Sequence, residues 1–141
     1  LLTVHISGGM SMLTRAREAA HAIKSKVIGV SLLTSLDQKD VEKVFFNDIR
    51  KVADNLFDLA KEANMDGIVC SAHELKYART NIPNLLKIVP GIRLSSDNDD
   101  QKRVMSPGEA LKLGANHLVI GRPITESKHP NAELEKIYET L

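Results

Sequence analysis

The sequence predicts an α/β fold in which a parallel sheet carries a helix after each strand, and three observations support this prediction. Apolar runs and amphipathic helical segments alternate five times along the 141 residues. The apolar runs lack the polar and apolar alternation of a strand with one solvated face, so we expect a parallel sheet covered on both faces. Polar residues follow the successive apolar runs, and the carboxyl ends of parallel strands are where such sheets carry their functional groups.

The first two strands and the helices that follow them are predicted from apolar spacing. Strands are predicted over 1–6 and 27–32, and the helix between them is expected to bury Ala16, Ala19, Ala20 and Ile23. The sequence Ser35-Leu36-Asp37-Gln38 is typical of a capping box and predicts the start of a short helix. A longer helix is predicted over 46–63, with a buried stripe formed by Ile49, Val52, Ala53, Leu56, Leu59, Ala60 and Ala63.

The other three units follow the same pattern. Strands are predicted over 68–70, 85–89 and 116–120, and helices over 72–79 and 130–141. A polar loop between Ile92 and Met105 is long enough to suggest a functional role. The next helix is expected to end at Gly114 and to begin with a serine cap, a proline in its first turn and a glutamate, namely Ser106, Pro107 and Glu109.

Two architectures share this element order, and the residues favour the barrel. A doubly wound sheet that binds dinucleotides carries G-x-G-x-x-G after its first strand, which Ser7-Gly8-Gly9-Met10-Ser11 does not match. A barrel gathers polar residues beyond the strand ends, as here at Ser7, Thr34, Ser35, Ser71, Arg93, Gly121 and Arg122. The sequence therefore predicts a (β/α)8 TIM barrel.

Five parallel strands are too few to close a barrel, which needs eight strands and about 250 residues. We therefore expect residues 1–141 to form a single domain that is the C-terminal part of a TIM barrel, supplying about strands four to eight with their helices. A self-contained protein of five units is the alternative.

Composition excludes several classes of partner. The formal net charge is +1 and aromatic residues make up 4% without tryptophan, so we expect no nucleic acid partner. No apolar run approaches the roughly 20 residues of a membrane span, so we expect no membrane partner.

Cys70 is the single cysteine, which rules out an internal disulfide and fits a cytoplasmic protein. Cys70 itself is expected to be a small core residue rather than a nucleophile.

The segment Leu118-Val119-Ile120-Gly121-Arg122-Pro123 is the clearest candidate for a binding site. A buried strand is followed by a glycine that allows close approach of the backbone, and then by an arginine whose planar guanidinium suits a phosphate. Pro123 fits the first turn of a short helix whose amide groups would face the same anion. On these residues alone, an ordinary strand-to-turn junction with a surface arginine remains an equal alternative.

Six short motifs occur along the chain in a definite order and spacing. Three lie in the first half of the chain: Val4-His5-Ile6-Ser7-Gly8-Gly9, Leu33-Thr34-Ser35 and Asp66-Gly67-Ile68-Val69-Cys70-Ser71-Ala72. The others are Val89-Pro90-Gly91-Ile92-Arg93, Asp100-Gln101-Lys102-Arg103-Val104-Met105-Ser106-Pro107 and Val119-Ile120-Gly121-Arg122-Pro123-Ile124-Thr125. Each motif is weak alone, but together their order and spacing resemble the C-terminal half of the orotidine 5′-phosphate decarboxylase family from end to end.

The resemblance implies a TIM barrel enzyme, usually a homodimer, that converts orotidine 5′-monophosphate to uridine 5′-monophosphate in pyrimidine biosynthesis without a metal or an organic cofactor. In the family, a Lys and Asp array of the form Asp-x-Lys-x-x-x-Asp stabilises a developing carbanion by electrostatic and acid catalysis. No such pattern occurs in these 141 residues. We therefore assign no catalytic residue to this chain.

The resemblance also implies which residues bind the substrate. Gly121 and Arg122 match the phosphate-binding pair of the family, and Arg93 matches a binding position at the start of the loop. Gln101 matches a loop glutamine that reaches toward phosphate and base, and Thr34 matches a hydroxyl residue that contacts the pyrimidine edge. The loop that contains Gln101 is acidic, and in the family it closes over the phosphate.

Two other functions remain open. One is another phosphate-binding barrel enzyme, a sugar-phosphate decarboxylase or an aldol-type synthase, which would use a metal. The other is a half barrel that only binds phosphates. The sequence contains neither a calcium-binding nor a zinc-binding pattern. Asp97-x-Asp99-x-Gln101 lacks the glycine and glutamate of a calcium loop, and the histidines are not spaced as zinc ligands.

Overall fold

The sheet is parallel throughout, as predicted. A computed structural model describes residues 1–94 and 105–141, so Gln101 and most of the acidic loop lie outside the described residues. Five strands are ordered β1-β2-β3-β4-β5, without the change of direction along the sheet that marks a doubly wound fold. They are β1 (Leu2–His5), β2 (Val27–Val30), β3 (Gly67–Val69), β4 (Leu86–Pro90) and β5 (His117–Val119).

A helical segment follows each strand, which confirms the predicted alternation. The helices are α1 (Gly9–Ala22), α2 (Gln38–Phe45), α3 (Ile49–Glu62), α4 (Leu75–Asn81), α5 (Pro107–Lys112), α6 (Arg122–Thr125) and α7 (Pro130–Tyr138). Short 3-10 turns at Ile6–Gly8 and Ala72–Glu74 precede α1 and α4. In the described part of the chain, none of these helices has the length and apolar character needed to cross a membrane.

The strand register divides the sheet into two faces. Gly29, Ile68 and Lys87 lie side by side and therefore point to one face, where Ile68 belongs to the main hydrophobic core. The core on this face is completed by helix residues such as Leu56 and Phe57. The sheet and its helices therefore form two packed layers.

The opposite face and the edges of the sheet are less covered than the sequence predicts. Val30, Val69 and Ile88 are aligned on that face, and the first two are only half-buried. The edge strands are more open still, since Leu2 is 49% and Val119 51% exposed. Each edge strand has one neighbour instead of two, so its side chains have fewer groups to pack against.

The predicted buried face of α1 is partly wrong. Leu13 and Ala20 are buried, whereas Ala19 is exposed and Ile23 is 72% exposed. The helix ends at Ala22, so Ile23 lies in the capping turn and no longer follows the helical spacing. Leu13, which was not predicted, is fully buried in the core instead.

The segment predicted as one helix over 46–63 begins later than expected. Phe46 adopts a left-handed conformation, with φ of 55°, and ends α2, while Asp48 caps α3 by accepting hydrogen bonds from the amides of Arg50 and Lys51. The capping box before α2 is also displaced, because its cap is Asp37 and not Ser35. Most of the predicted stripe of α3 is buried, but Ile49 and Leu59 are half-buried and Phe57 was not predicted.

The start of α5 is as predicted. Ser106 accepts a hydrogen bond from the amide of Glu109, and the Glu109 carboxylate accepts one from the amide of Ser106 at 3.2 Å. Pro107 occupies the first turn, and Gly114 beyond the helix has φ of 108°. This conformation favours glycine, which explains why the helix ends there.

Candidate functional site

Four of the five predicted binding residues follow the carboxyl ends of strands at the same edge of the sheet. Arg93 lies beyond β4, Gly121 and Arg122 lie directly beyond β5, and Thr34 lies a few residues beyond β2. Since all five strands run parallel, these residues occupy one end of the sheet. Neighbouring strands are roughly 4.8 Å apart, so the segments after β4 and β5 start close together.

The turn at Gly121 and Arg122 joins β5 to α6. The amides of Ile124 and Thr125 donate to the Gly121 carbonyl oxygen at 2.9 and 3.1 Å, which closes the first turn of α6. Pro123 lies in that turn, as predicted, and has no amide hydrogen. The two amide groups that precede Pro123 in this turn belong to Gly121 and Arg122.

Space is available directly above Gly121. A methyl group added at its Cα would have no atom of the described residues within 4 Å. Arg122, the next residue, is half-buried. A glycine with open space beside an arginine is the arrangement that lets a phosphate contact backbone and guanidinium together.

Arg93 lies at the base of the loop that the sequence marked as functional. Its amide donates to the Met105 carbonyl oxygen at 3.2 Å, and Ile92 pairs with Met105 in a parallel bridge. Gly91 has φ of 76°, a left-handed turn that directs the chain away from β4. The two ends of the segment between Arg93 and Met105 are thus fixed next to each other, which the sequence did not predict.

Thr34 lies in a turn anchored to β3. The amide and the hydroxyl of Ser31 both donate to the Val69 carbonyl oxygen, at 3.1 and 2.8 Å, which extends the pairing of β2 beyond its end. The Leu36 amide then donates to the Leu33 carbonyl oxygen at 3.1 Å, so Thr34 occupies the turn itself. Thr34 is half-buried, and β3 and β4 separate its strand from β5.

Cys70 follows β3 but is not a reactive group. It is fully buried, and burial raises the pKa of its thiol to about 12, with a further rise from Glu74 and an opposing effect of Lys87. This confirms the prediction of a core residue. In the two described ranges, no group of three or more His, Cys, Asp or Glu side chains could hold a metal ion.

Comparison with known proteins identifies the family. A model of the "Orotidine 5'-phosphate decarboxylase / HUMPS family" matches residues 1–137. Among curated relatives, the orotidine 5′-phosphate decarboxylase of Ehrlichia chaffeensis is 45% identical over 141 residues, covering 97% of this chain and 61% of that protein. That of Wolbachia pipientis subsp. Culex pipiens is 41% identical over 143 residues, covering 100% of this chain and 63% of that protein.

Solved structures give the same result for the fold. The crystal structure of orotidine 5′-phosphate decarboxylase from Lactobacillus acidophilus matches with a TM-score of 0.80 and 30% identity, covering 98% of this chain and 61% of that one. The orotidine 5′-monophosphate decarboxylase of Sulfolobus solfataricus, at 21% identity and a TM-score of 0.69 over 97% of this chain and 59% of that one, supports the fold alone. The five strand and helix units are therefore part of a (β/α)8 TIM barrel.

The chain spans 61 to 63% of the length of these curated relatives. The residues matched by the family model, 1–137, include the positions of all the motifs that the sequence singled out. The chain belongs to the orotidine 5′-phosphate decarboxylase / HUMPS family.

Proposed function

We propose that these residues form the phosphate-binding and pyrimidine-binding part of an enzyme that decarboxylates orotidine 5′-monophosphate to uridine 5′-monophosphate. The observation that carries the proposal is the Gly121-Arg122 turn, which lies at the carboxyl ends of the strands in a chain that matches this family over residues 1–137. In a TIM barrel, the last strands and a short extra helix are the usual place for a phosphate.

Each binding residue has a distinct role in this proposal. The Arg122 guanidinium holds the nucleotide phosphate through paired charge-assisted hydrogen bonds, and the Gly121 amide contributes a further donor. Arg93 adds positive charge from the neighbouring strand. The Thr34 hydroxyl contacts the edge of the pyrimidine, and the Gln101 amide, which can both donate and accept, bridges phosphate and base.

The chemical step needs residues outside these 141. A developing carbanion at C6 needs carboxylates and a lysine proton nearby, and the Asp-x-Lys-x-x-x-Asp pattern of the family does not occur in this sequence. We therefore assign substrate binding to this chain and the catalytic array to the rest of the barrel. We expect the reaction to proceed without a metal or an organic cofactor.

Two properties of the assembled enzyme complete the proposal. Members of the family are usually homodimers with active sites near the subunit interface, and we expect the same assembly here. A cytoplasmic location is supported by the single, buried Cys70. Sedimentation of the barrel that contains this chain tests the dimer, and a monomer at micromolar concentration would contradict it.

A replacement experiment tests the function. The segment of the Ehrlichia chaffeensis protein that matches this chain is exchanged for these 141 residues, and conversion of orotidine 5′-monophosphate is measured with and without a chelator. We expect decarboxylation in both conditions, and its loss when Arg122 is changed to Ala. Activity that the chelator abolishes would favour the metal-dependent sugar-phosphate enzymes. A folded but inactive chimera would contradict the proposal.

A further inference from the structure

A surface cavity of about 210 Å³ lies between α3 and the helical segment that follows β3. Ile49 and Ala53 of α3 contribute its apolar wall, and Ala53 is almost fully buried. A cavity of about 150 Å³ accommodates a benzene molecule, so this one is large enough for a single planar group with a short alkyl stem. None of its lining residues is a proposed nucleotide-binding residue.

Polar side chains from two elements converge on the cavity. α3 provides Arg50 and Asp54, whereas His73, Glu74 and Tyr77 come from the segment after β3. Among residues 1–94 and 105–141, the side chains of Asp54, His73 and Tyr77 make no hydrogen bond or ion pair with another protein group. Groups of this kind in a partly apolar cavity can hydrogen-bond to a ligand without giving up a protein partner.

Carboxylates outnumber cations among the charged groups that act on Asp54 and Tyr77. Burial raises the pKa of Asp54, and although Arg50 lowers it, the nearby carboxylates of Asp58 and Asp48 raise it further. The pKa of Tyr77 is raised by burial and then by Asp54 and Asp58, again against Arg50. Each of these groups has two carboxylates and one cation, Arg50, acting on it, so a cation bound in the cavity would offset the carboxylates.

The aromatic ring of Tyr77 at the cavity favours a planar organic cation. Tyr77 packs against Phe57, with ring centroids 6.1 Å apart and planes inclined by 32°, so its ring is held in place. An aromatic face attracts an organic cation, and a guanidinium is planar enough to stack on it. A guanidinium also donates two parallel hydrogen bonds to one carboxylate, which Asp54 can accept.

We propose that this cavity binds an alkylguanidinium group, with Asp54 accepting its hydrogen bonds and Tyr77 stacking on its plane. The group belongs either to a small organic molecule or to an arginine side chain of a protein partner, since the recognised chemistry is the same. The proposal is independent of the nucleotide site, because Asp54 and Tyr77 take no part in the proposed phosphate binding.

The test is a titration with ethylguanidinium chloride at constant ionic strength, followed by amide chemical shifts. We expect saturable shifts at Ile49, Asp54 and Tyr77, and weaker shifts with ethylammonium chloride because an ammonium cannot stack as a plane. Asp54→Asn is expected to weaken binding about tenfold, whereas Glu62→Gln, an exposed carboxylate on the same helix, changes it less than about twofold.

The ring is tested with a matched pair of variants. Tyr77→Phe keeps the aromatic face and is expected to retain binding, whereas Tyr77→Leu is expected to bind ethylguanidinium about tenfold more weakly. Circular dichroism confirms that both variants fold. The proposal fails if no shift saturates, if Glu62→Gln weakens binding as much as Asp54→Asn, or if Tyr77→Leu binds as tightly as Tyr77→Phe.

The source of the guanidinium is decided with a peptide. Tighter binding of Gly-Arg-Gly amide than of ethylguanidinium supports an arginine of a protein partner, and equal or weaker peptide binding supports a small molecule. Affinity for uridine 5′-monophosphate is expected to be the same in Asp54→Asn and in the unaltered protein. This readout separates the cavity from the nucleotide site, so either proposal can fail alone.

Discussion

Two reciprocal hydrogen bonds connect Asp66, which directly precedes β3, with Val27, the first residue of β2. The Val27 amide donates to the Asp66 carboxylate at 2.9 Å, and the Asp66 amide donates to the Val27 carbonyl oxygen at 3.2 Å. Asn116 and Lys87 make the same pair between β4 and β5, at 2.8 and 2.9 Å. In both pairs, an acidic or amide side chain just before one strand accepts a hydrogen bond from the first or second amide of the neighbouring strand.

Asp66 should make the free energy of unfolding depend on pH in the acidic range. Burial alone would raise the pKa of Asp66, but the hydrogen bonds from Val27 and His21 and the charge of Arg17 lower it overall. Because the folded pKa lies below the unfolded value of about 3.9, Asp66 stabilises the fold above that pH and loses this effect as pH falls through the folded pKa.

Urea denaturation across pH 2 to 7 checks this prediction. Asp66→Ala should reduce the free energy of unfolding at neutral pH by about 1–3 kcal/mol, since the Val27 amide loses its acceptor. Asp66→Asn should cost less, as Asn116 shows that an amide can accept the same bond, and should flatten the acid dependence. An unchanged acid dependence in Asp66→Asn would contradict this role.

The strands and the start of α5 could be predicted because their signals are local. The residues Ser106, Pro107 and Glu109 carry the whole cap of α5, and the apolar runs lie within two residues of the observed strands. The sequence also placed Gly121 and Arg122 after the last strand, and the parallel order brings them to the carboxyl edge of the sheet.

What could not be predicted depends on contacts between distant segments. Phe46 ends α2 in a left-handed conformation, which its residue type disfavours. Lys87 is only 5% exposed, because its ammonium donates to the Pro83 carbonyl oxygen at 2.8 Å. The pairing of Ile92 with Met105 has no local signal in the sequence. The roles of Thr34, Arg93 and Gln101 stay predictions.

Cys70 should resist alkylation as long as the protein is folded. With the pKa of its thiol raised to about 12, about one molecule in ten thousand carries a thiolate at pH 8, and burial blocks the reagent as well. We expect the rate of labelling by iodoacetamide to follow the rate of unfolding as urea is added. Rapid labelling without urea would mean that the end of β3 opens in the folded state.

Gly121→Ala should weaken nucleotide binding without a steric effect on the fold. The added methyl group meets no described protein atom, so it would occupy the space assigned to the phosphate. We expect about a tenfold loss of affinity for uridine 5′-monophosphate, equivalent to about 1.4 kcal/mol. Gly108→Ala is the contrasting variant, since its methyl group would collide with the Thr140 carbonyl oxygen and should lower the melting temperature instead.

Gln101→Ala should distinguish a bridging side chain from one that holds only phosphate. The resemblance to the family implies that Gln101 contacts both phosphate and base. The loss of its side chain should therefore weaken the binding of uridine 5′-monophosphate more than the binding of inorganic phosphate. Competition measurements with both ligands check this expectation. Equal losses for the two would argue against the bridging role, and no loss would place Gln101 outside the site.

The most direct measurement of the phosphate site is calorimetric titration of Arg122→Ala with uridine 5′-monophosphate, with uridine as the ligand that lacks the phosphate. We expect the substitution to weaken the binding of the monophosphate about 10- to 100-fold, as the loss of a charge-assisted pair of hydrogen bonds does. The affinity of Arg122→Lys should lie between those of Arg122→Ala and the unaltered protein. Uridine binding and the melting temperature should barely change. An Arg122→Ala variant that binds the monophosphate as tightly as the unaltered protein would contradict the assignment of the Gly121-Arg122 turn as the phosphate site.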